Sequence, residues 1–255
     1  MGKCRTTGPA TRGLRALVTR PRAEAAELAA ALAARGIEAI VEPMLDIHYR
    51  SAPAPCLEGV QAILCTSANG VRAFAQVSSE RGLLLLAVGD ATATRAREAG
   101  FARVASAGGT ADDLARLARE LLSPTAGRLL HVAGSEVAGD LAGMLRASGF
   151  TVARSVLYEA DPIAGLSVAT AQGLREGSVD FALFFSPRTA AIFRDLAERA
   201  GLADALASVI ALSISAAADA ALATLGFRER HVAARPDQPS LLAALDRLIA
   251  ERRRA

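Results

Sequence analysis

Residues 15–45 read RALVTRPRAEAAELAAALAARGIEAIVEPML, and residues 128–158 read RLLHVAGSEVAGDLAGMLRASGFTVARSVLY. The two stretches align at a constant offset of 113 positions, which places Leu17, Leu28 and Leu32 over Leu130, Leu141 and Leu145, and Gly36 over Gly149. This spacing indicates one supersecondary unit, which we call A, present twice in the chain.

A second repeat lies between and after these copies. Residues 60–74 (VQAILCTSANGVRAF) match residues 179–193 (VDFALFFSPRTAAIF) at an offset of 119 positions, with Ser67 over Ser186. We call this unit B. The order along the chain is therefore A, B, A′, B′.

Both units read as strands alternating with helices. The stretch Arg22–Arg35 has a leucine stripe at helical spacing and ends before Gly36, a residue suited to the position after a helix. Thr110 is a predicted N-cap of a helix over Ala111–Leu122. Strands such as Leu83–Val88 are apolar throughout, which is typical of parallel strands covered on both faces. The sequence predicts an α/β protein.

The repeat order leaves two domain arrangements open. One pairs A with B and A′ with B′. The other nests B with A′ as an inner domain, so that A and B′ form an outer one. Residues 43–51 and 152–162 run on as extended, proline-containing segments and are the predicted crossings between domains.

Composition excludes several classes of function. A net charge of +3, two tyrosines and no tryptophan argue against a nucleic-acid partner. The longest uncharged apolar stretch, Ala205–Ala218, is too short to span a membrane, and the N-terminus has no signal-peptide core. The three cysteines, Cys4, Cys56 and Cys65, form no CxxC motif and have no histidine at the spacing of a metal ligand, so we expect no metal site. We expect a cytoplasmic location.

Five runs of sequence, taken together, carry a resemblance to a known family. They are CTSANGVRAF (65–74), AVGDATATRAREAGF (87–101), GFTVARSVLYEA (149–160), FFSPRTAAIF (184–193) and AARPDQPSLLAAL (233–245). Their order over nearly the whole chain resembles uroporphyrinogen-III synthase.

The resemblance implies the nested arrangement. Two flavodoxin-like parallel-sheet domains are expected, joined by a two-stranded linker, with the first domain discontinuous. The expected bounds are 1–43 with 163–255 for the first domain and 52–154 for the inserted second one, with linker strands at 44–51 and 155–162.

The resemblance also implies the reaction. A linear tetrapyrrole, hydroxymethylbilane, loses water and closes to uroporphyrinogen III with inversion of ring D through a spiro intermediate, without metal or organic cofactor. The expected protein is a cytoplasmic monomer with possible transient contact with hydroxymethylbilane synthase. The alternative is a two-lobed small-molecule binding protein of the periplasmic-binding type, although no signal peptide or DNA-binding headpiece is found.

Candidate substrate-binding residues lie where strands give way to helices, because α/β sheets bind ligands at that edge. Ser67 and Asn69 open one helix, and Ser186 and Arg188 open its repeat counterpart. Helix N-termini and hydroxyl groups suit the many carboxylates of the substrate. Ordinary N-capping explains the same residues equally well.

Thr92, in the run GDATA, matches a family position thought to face the substrate. Routine capping is again the alternative. Aligning Gly100 with Gly226 places Ala218 opposite Thr92 and leaves Ser215 as the nearest hydroxyl in the second half. A mechanism that needs two symmetric threonines is weakened by this difference.

Two further candidates follow the first strand of each A unit. Arg20 has Ala133 as its repeat counterpart, so the fold does not demand a guanidinium there, and either carboxylate binding or solvation explains it. Ser135 is a weaker candidate at the equivalent turn. His131 lies in an apolar strand, where we expect a hydrogen-bonded core imidazole.

Tyr158 is the predicted catalytic residue. Its repeat counterpart is Leu45, which indicates that packing alone would accept an apolar side chain there. The resemblance places this tyrosine near the departing hydroxyl of the substrate. The alternative is a half-buried tyrosine whose phenol bonds to the backbone.

Overall fold

The structure, a computed structural model, describes residues 12–136 and 139–252. Cys4 and the first eleven residues of the predicted outer domain lie outside this range. The strands are β1 (Leu14–Val18), β2 (Ile37–Val41), β3 (Leu45–Tyr49), β4 (Val60–Cys65), β5 (Leu84–Ala87), β6 (Val104–Ser106), β7 (Arg128–Gly134), β8 (Val152–Pro162), β9 (Phe181–Phe184), β10 (Ile210–Ser213) and β11 (Glu229–Val232).

The helices alternate with these strands. They are α1 (Arg22–Ala33), α2 (Ala68–Val77), α3 (Asp90–Glu98), α4 (Ala111–Leu121), α5 (Leu141–Ala147), α6 (Val168–Arg175), α7 (Pro187–Arg199), α8 (Ala216–Ala220) and α9 (Gln238–Arg252), with a 3₁₀ helix at Asp204–Ser208. The capping box that Thr110 forms with Asp113 begins α4 where the sequence predicted a helix start.

The chain divides into two compact units. Unit 1 runs from the N-terminal part of the chain to Leu45 and resumes at Pro162, and unit 2 is Asp46–Asp161. Each unit has its own sheet, its own helices and its own core. The sequence repeats A and B′ therefore both lie in unit 1, and the repeats B and A′ both lie in unit 2.

Unit 1 contains a five-stranded sheet in the order β2-β1-β9-β10-β11. All of its described pairings are parallel. Numbered along the chain within the unit, this order is 2-1-3-4-5, which is the flavodoxin-like order. Leucines of α1 and α9 cover one face of the sheet, and Phe193 and Leu196 of α7 cover the other. The predicted α/β fold class is confirmed.

Unit 2 contains a six-stranded sheet in the order β6-β5-β4-β7-β8-β3. The four pairings β6–β5, β5–β4, β4–β7 and β7–β8 are all parallel. Arranged by repeat, the first five strands match the sheet of unit 1, but the chain enters the sheet at a different strand. Units 1 and 2 are thus circular permutations of one arrangement, which is what the order A, B, A′, B′ produces when the units nest.

Strand β3 lies at the edge of the unit 2 sheet, beside β8. The Arg50 N–H donates to the Leu157 carbonyl at 2.9 Å, and the Ile163 N–H donates to the Met44 carbonyl at 3.2 Å. Residue numbers rise along one segment while they fall along its partner, so the two segments run antiparallel. β8 is one continuous strand of eleven residues, which begins beside β7 and extends beyond it along β3.

Candidate active site

The predicted site residues lie at the carboxyl edges of the two sheets. In unit 2, Ser67 and Asn69 follow β4, Thr92 follows β5, and Ser135 follows β7. Tyr158 lies in β8 at the level where β7 ends. Five of the nine predicted residues therefore share one edge of one sheet, where parallel α/β sheets bind ligands.

The remaining four lie at the equivalent edge in unit 1. Arg20 follows β1, Ser186 and Arg188 follow β9, and Ser215 follows β10. Each unit thus has its own group of polar residues at the ends of its strands. Through the repeat, Ser67 corresponds to Ser186 and Asn69 to Arg188.

The position of Tyr158 depends on an irregularity in the sheet. The pairing of β7 with β8 is regular up to Ala133 with Val156, but Gly134 then pairs with Tyr158, so one residue of β8 is skipped. In a regular ladder Leu157 would lie beside Gly134, and Tyr158 would point to the opposite face. The bulge directs Tyr158 to the face covered by α2 and α3, where it packs in one cluster with Leu130.

The tyrosine ring lies against the backbone of Gly134. A Cβ placed on Gly134 would lie 2.9 Å from both Cε2 and Cζ of Tyr158 and 3.3 Å from its hydroxyl oxygen. Tyr158 is 6% exposed, so it is buried rather than half-buried. Leu45 begins a separate strand, β3, and is therefore not its structural counterpart. The argument from packing at the repeat position consequently loses its basis.

Three predicted serines act as helix N-caps. The hydroxyl oxygens of Ser67, Ser186 and Ser215 accept from backbone N–H groups of their own helices at 3.1, 3.1 and 3.3 Å. Capping uses the oxygen as an acceptor and does not consume the hydroxyl proton, which is what a carboxylate would accept. The Ser186 hydroxyl also lies 2.9 Å from the hydroxyl of Thr189. The capping role is therefore observed and is compatible with ligand binding.

Two predicted residues of unit 2 lie deeper than expected for simple caps. Thr92 is 5% exposed and is the third residue of α3, whose N-cap is Gly89, so the alternative that Thr92 caps the helix is wrong. Asn69 is also 5% exposed, and its side-chain oxygen accepts from Arg72 at 3.0 Å. The helix start after β5 uses glycine as its cap and presents threonine one turn later.

Arg20 is held by neighbours within unit 1. Its guanidinium donates to Gln238 at 2.7 Å and to Glu24 at 3.0 Å, and its Cζ lies 4.4 Å from the ring centroid of Phe185. The side chain is 15% exposed. Arg188 lies in the first turn of α7 and is half-buried. Ser135 is exposed, and its N–H donates to the Tyr158 carbonyl at 2.9 Å.

Comparisons with known proteins agree with this architecture. The sequence model of the family described as uroporphyrinogen-III synthase HemD matches residues 26–243. The chain belongs to the uroporphyrinogen-III synthase family. The resemblance stated from the five sequence runs is thereby confirmed, and no comparison supports the periplasmic-binding alternative. A comparison with curated proteins finds no significant match.

Two solved structures of uroporphyrinogen-III synthases share the fold. A mutant enzyme from the extremely thermophilic bacterium Thermus thermophilus is 20% identical, with a TM-score of 0.58, and the match covers 93% of this chain and 99% of that one. The enzyme from Helicobacter pylori, described as a uroporphyrinogen-III synthetase, is 16% identical, with a TM-score of 0.62 and coverage of 92% and 99%. At these identities the likeness shows the fold.

His131 differs from its prediction. It is buried in β7 at 2% exposure, but neither ring nitrogen has a hydrogen-bond partner among residues 12–136 and 139–252, so the expected hydrogen-bonded imidazole is wrong. Burial, aided by the positive charge of Arg154, lowers the pKa of His131 to about 4. The strand position is filled by packing alone, and the imidazole is neutral at physiological pH.

The described residues of this protein form no cluster of metal-binding side chains. Within that part, no three His, Cys, Asp or Glu side chains converge as a metal site would require, and no helix is long and apolar enough to cross a membrane. Cys65 is buried in β4, and burial raises the pKa of its thiol to about 12.

Sequence reasoning missed Arg154, which lies at the same edge as Tyr158. Its guanidinium donates to the carbonyl oxygens of Gly134 and Ser135 at 2.7 and 2.8 Å. Its repeat counterpart is Val41. The comparison that singled out Arg20 against Ala133 would have singled out Arg154 as well, because a guanidinium stands where the repeat has an apolar residue.

Proposed function

We propose that this protein cyclises hydroxymethylbilane to uroporphyrinogen III, with inversion of ring D and loss of water. The observation that carries the proposal is the family match over residues 26–243. The carboxyl edge of the unit 2 sheet supports it, because it gathers hydroxyl, amide and phenol groups where α/β folds bind ligands.

Tyr158 is proposed as the general acid of this reaction. The C–O bond of the substrate's hydroxymethyl group breaks as the pyrrole nitrogen supplies the electron pair. The phenol shares its proton with the departing oxygen, which leaves as water. The tyrosinate then recovers a proton when the inverted ring loses one during closure. A phenol of ordinary pKa about 10 is protonated at neutral pH but is a weak acid, so its contribution is modest.

The polar groups at the strand ends are proposed to bind the acetate and propionate arms. Ser67, Asn69, Thr92 and Ser135 serve in unit 2, and Arg20, Ser186, Arg188 and Ser215 serve in unit 1. Holding a flexible tetrapyrrole in the productive conformation lowers the barrier to closure by several kcal/mol, on the order of 7 in well-aligned cases. It also excludes the unaided closure that gives the uninverted isomer.

The reaction is proposed to need no metal or organic cofactor. It exchanges no electrons with an external donor or acceptor, and the pyrrole nitrogen itself expels the hydroxyl. Turnover should therefore survive exhaustive dialysis and a strong chelator. Turnover that is lost on chelation and restored by a metal ion would overturn this part of the proposal. The cytoplasmic, monomeric state and the contact with hydroxymethylbilane synthase remain predictions.

The decisive experiment uses freshly generated hydroxymethylbilane and separates the product isomers. We expect uroporphyrinogen III to form faster than the spontaneous reaction forms the uninverted isomer. If the protein only binds the tetrapyrrole and the uninverted isomer appears at the uncatalysed rate, the enzymatic proposal is wrong.

A further inference from the structure

The turn that follows β7 is held from both faces of the unit 2 sheet. On one face the ring of Tyr158 lies on Gly134. Arg154 comes from the other face, because it follows Val152 by two residues and Val152 packs in the opposite cluster. Arg154 is exposed as a whole, and its terminal Nη2 donates to the Gly134 and Ser135 carbonyls at 2.7 and 2.8 Å.

The turn is also tied to the backbone of Tyr158. The Ser135 N–H donates to the Tyr158 carbonyl at 2.9 Å, immediately after the bulge in β8. At the point where the bulge interrupts the regular ladder, Arg154 donates to both carbonyls at the end of β7. Two hydrogen bonds from one planar nitrogen fix the direction of both carbonyls.

The fold itself does not require an arginine at this position. The repeat counterpart, Val41, ends β2 in the equivalent place of unit 1, and that strand pairs regularly with β1. Unit 1 therefore builds the same strand pair with an apolar residue. The difference between the two units coincides with the bulge, which unit 2 has at β8.

We propose that Arg154 is a positioning residue for Tyr158, acting through the Gly134–Ser135 turn. It holds the turn against which the tyrosine ring rests, and thereby fixes where the phenol lies at the edge of the sheet. Its importance to turnover rests on the proposed function, but its effect on Tyr158 does not.

The test compares Arg154→Met with Arg146→Met. Arg146 of α5 is a matched control in the same unit, because it is also an exposed arginine whose guanidinium donates to one backbone carbonyl, that of Val152, at 3.0 Å. Each protein is labelled with 3-fluorotyrosine. The chain has two tyrosines, so two fluorine resonances are expected, and Tyr158→Phe assigns them.

We expect Arg154→Met to move the Tyr158 resonance and to lower kcat roughly ten- to a hundredfold, with KM changed less than about threefold. Arg154→Lys should recover part of both effects, since an ammonium can donate to one of the carbonyls. Arg146→Met should leave the Tyr158 resonance and kcat within about twofold of the wild type. Such a pattern distinguishes positioning from general stabilisation.

An unmoved Tyr158 resonance in Arg154→Met overturns the proposal, and so does an equal change in Arg146→Met. If the wild type does not turn over hydroxymethylbilane, the proposed function is wrong, but the fluorine measurement still decides the role of Arg154. Should Arg154→Met not fold, Arg154→Lys is compared with Arg146→Lys by the same measurements, and equal effects again overturn the proposal.

Discussion

Glu42 receives both the backbone N–H and the hydroxyl of Ser167, at 2.9 Å on Oε1 and 2.6 Å on Oε2. The Thr170 hydroxyl also donates to Oε2. Glu42 is 7% exposed and follows β2, whereas Ser167 caps α6. A buried carboxylate thus fastens the start of α6 to the end of β2 in unit 1.

Glu42→Gln should destabilise the protein. The amide nitrogen is a donor and would face groups that donate, so at least one buried hydrogen bond is lost at a cost of about 2 to 3 kcal/mol in the free energy of unfolding. Urea denaturation measures the change. Glu38→Gln is the control, because Glu38 is 66% exposed where it pairs with Arg15, and we expect about 0.5 kcal/mol or less there. Equal losses in the two variants would contradict the structural role of Glu42.

Tyr158→Phe should lower turnover roughly a hundredfold, because the departing water loses its proton donor. The free energy of unfolding should change by about 1 kcal/mol or less, since the ring and its packing remain. Isomer-resolved kinetics and thermal unfolding measure the two quantities. Tyr49→Phe, which alters the other tyrosine, should leave turnover unchanged. An undiminished rate in Tyr158→Phe would remove the phenol from the mechanism.

Gly134→Ala tests the contact between the β7 turn and the tyrosine ring. The added methyl would lie 2.9 Å from the ring, so the ring must move, at a cost of about 1 to 3 kcal/mol in stability. Turnover should fall as well. Gly165→Ala is the control, because an added Cβ there meets nothing within 4 Å. Wild-type stability and turnover in Gly134→Ala would show that the contact is not constraining.

The free energy of unfolding should decrease as the pH falls, because His131 is buried in its neutral form. The pKa of His131 is about 4 in the folded protein, against an ordinary value of 6.5. Between these two pH values the imidazole is therefore protonated in the unfolded chain and neutral in the folded protein. The stability from this group is complete above pH 6.5 and is lost as the pH falls towards 4. The loss between about pH 7 and about pH 5 is about 2 kcal/mol.

His131→Leu should remove this part of the pH dependence. It should also match or exceed wild-type stability at pH 7, because it eliminates two buried nitrogens without partners among the described residues. Urea titrations at the two pH values compare the proteins. A variant with the same pH dependence as the wild type would assign the effect to other groups.

Residues 46–161 should fold when expressed alone. The fragment contains the whole unit 2 sheet, and its ends lie close together, since Arg50 pairs with Leu157. We expect a single cooperative transition in urea followed by circular dichroism. Residues 43–122 form the control and should not fold cooperatively, because they lack β7, which lies between β4 and β8. A fragment 46–161 without a transition would mean that unit 2 depends on unit 1.

Much of the fold was predictable from local patterns. The predicted bounds of α1, α4 and β5 are within two residues of those observed. These elements follow from helical spacing, apolar strand runs and caps such as Thr110, all of which act over a few residues. The prediction of an imidazole with partners at His131 failed because hydrogen bonding across a sheet depends on residues distant in sequence.

The sequence by itself determined the α/β class, the repeated units and the family, because periodicity, caps and ordered motifs are local. Only the tertiary structure decided that Tyr158 faces Gly134 and that Arg154 reaches the turn from the opposite face. Both depend on one skipped residue in the pairing of β7 with β8. A slip of one residue exchanges the two faces of a strand. It is set by the balance of ladder hydrogen bonds and packing between strands that are about twenty residues apart, which no local pattern records.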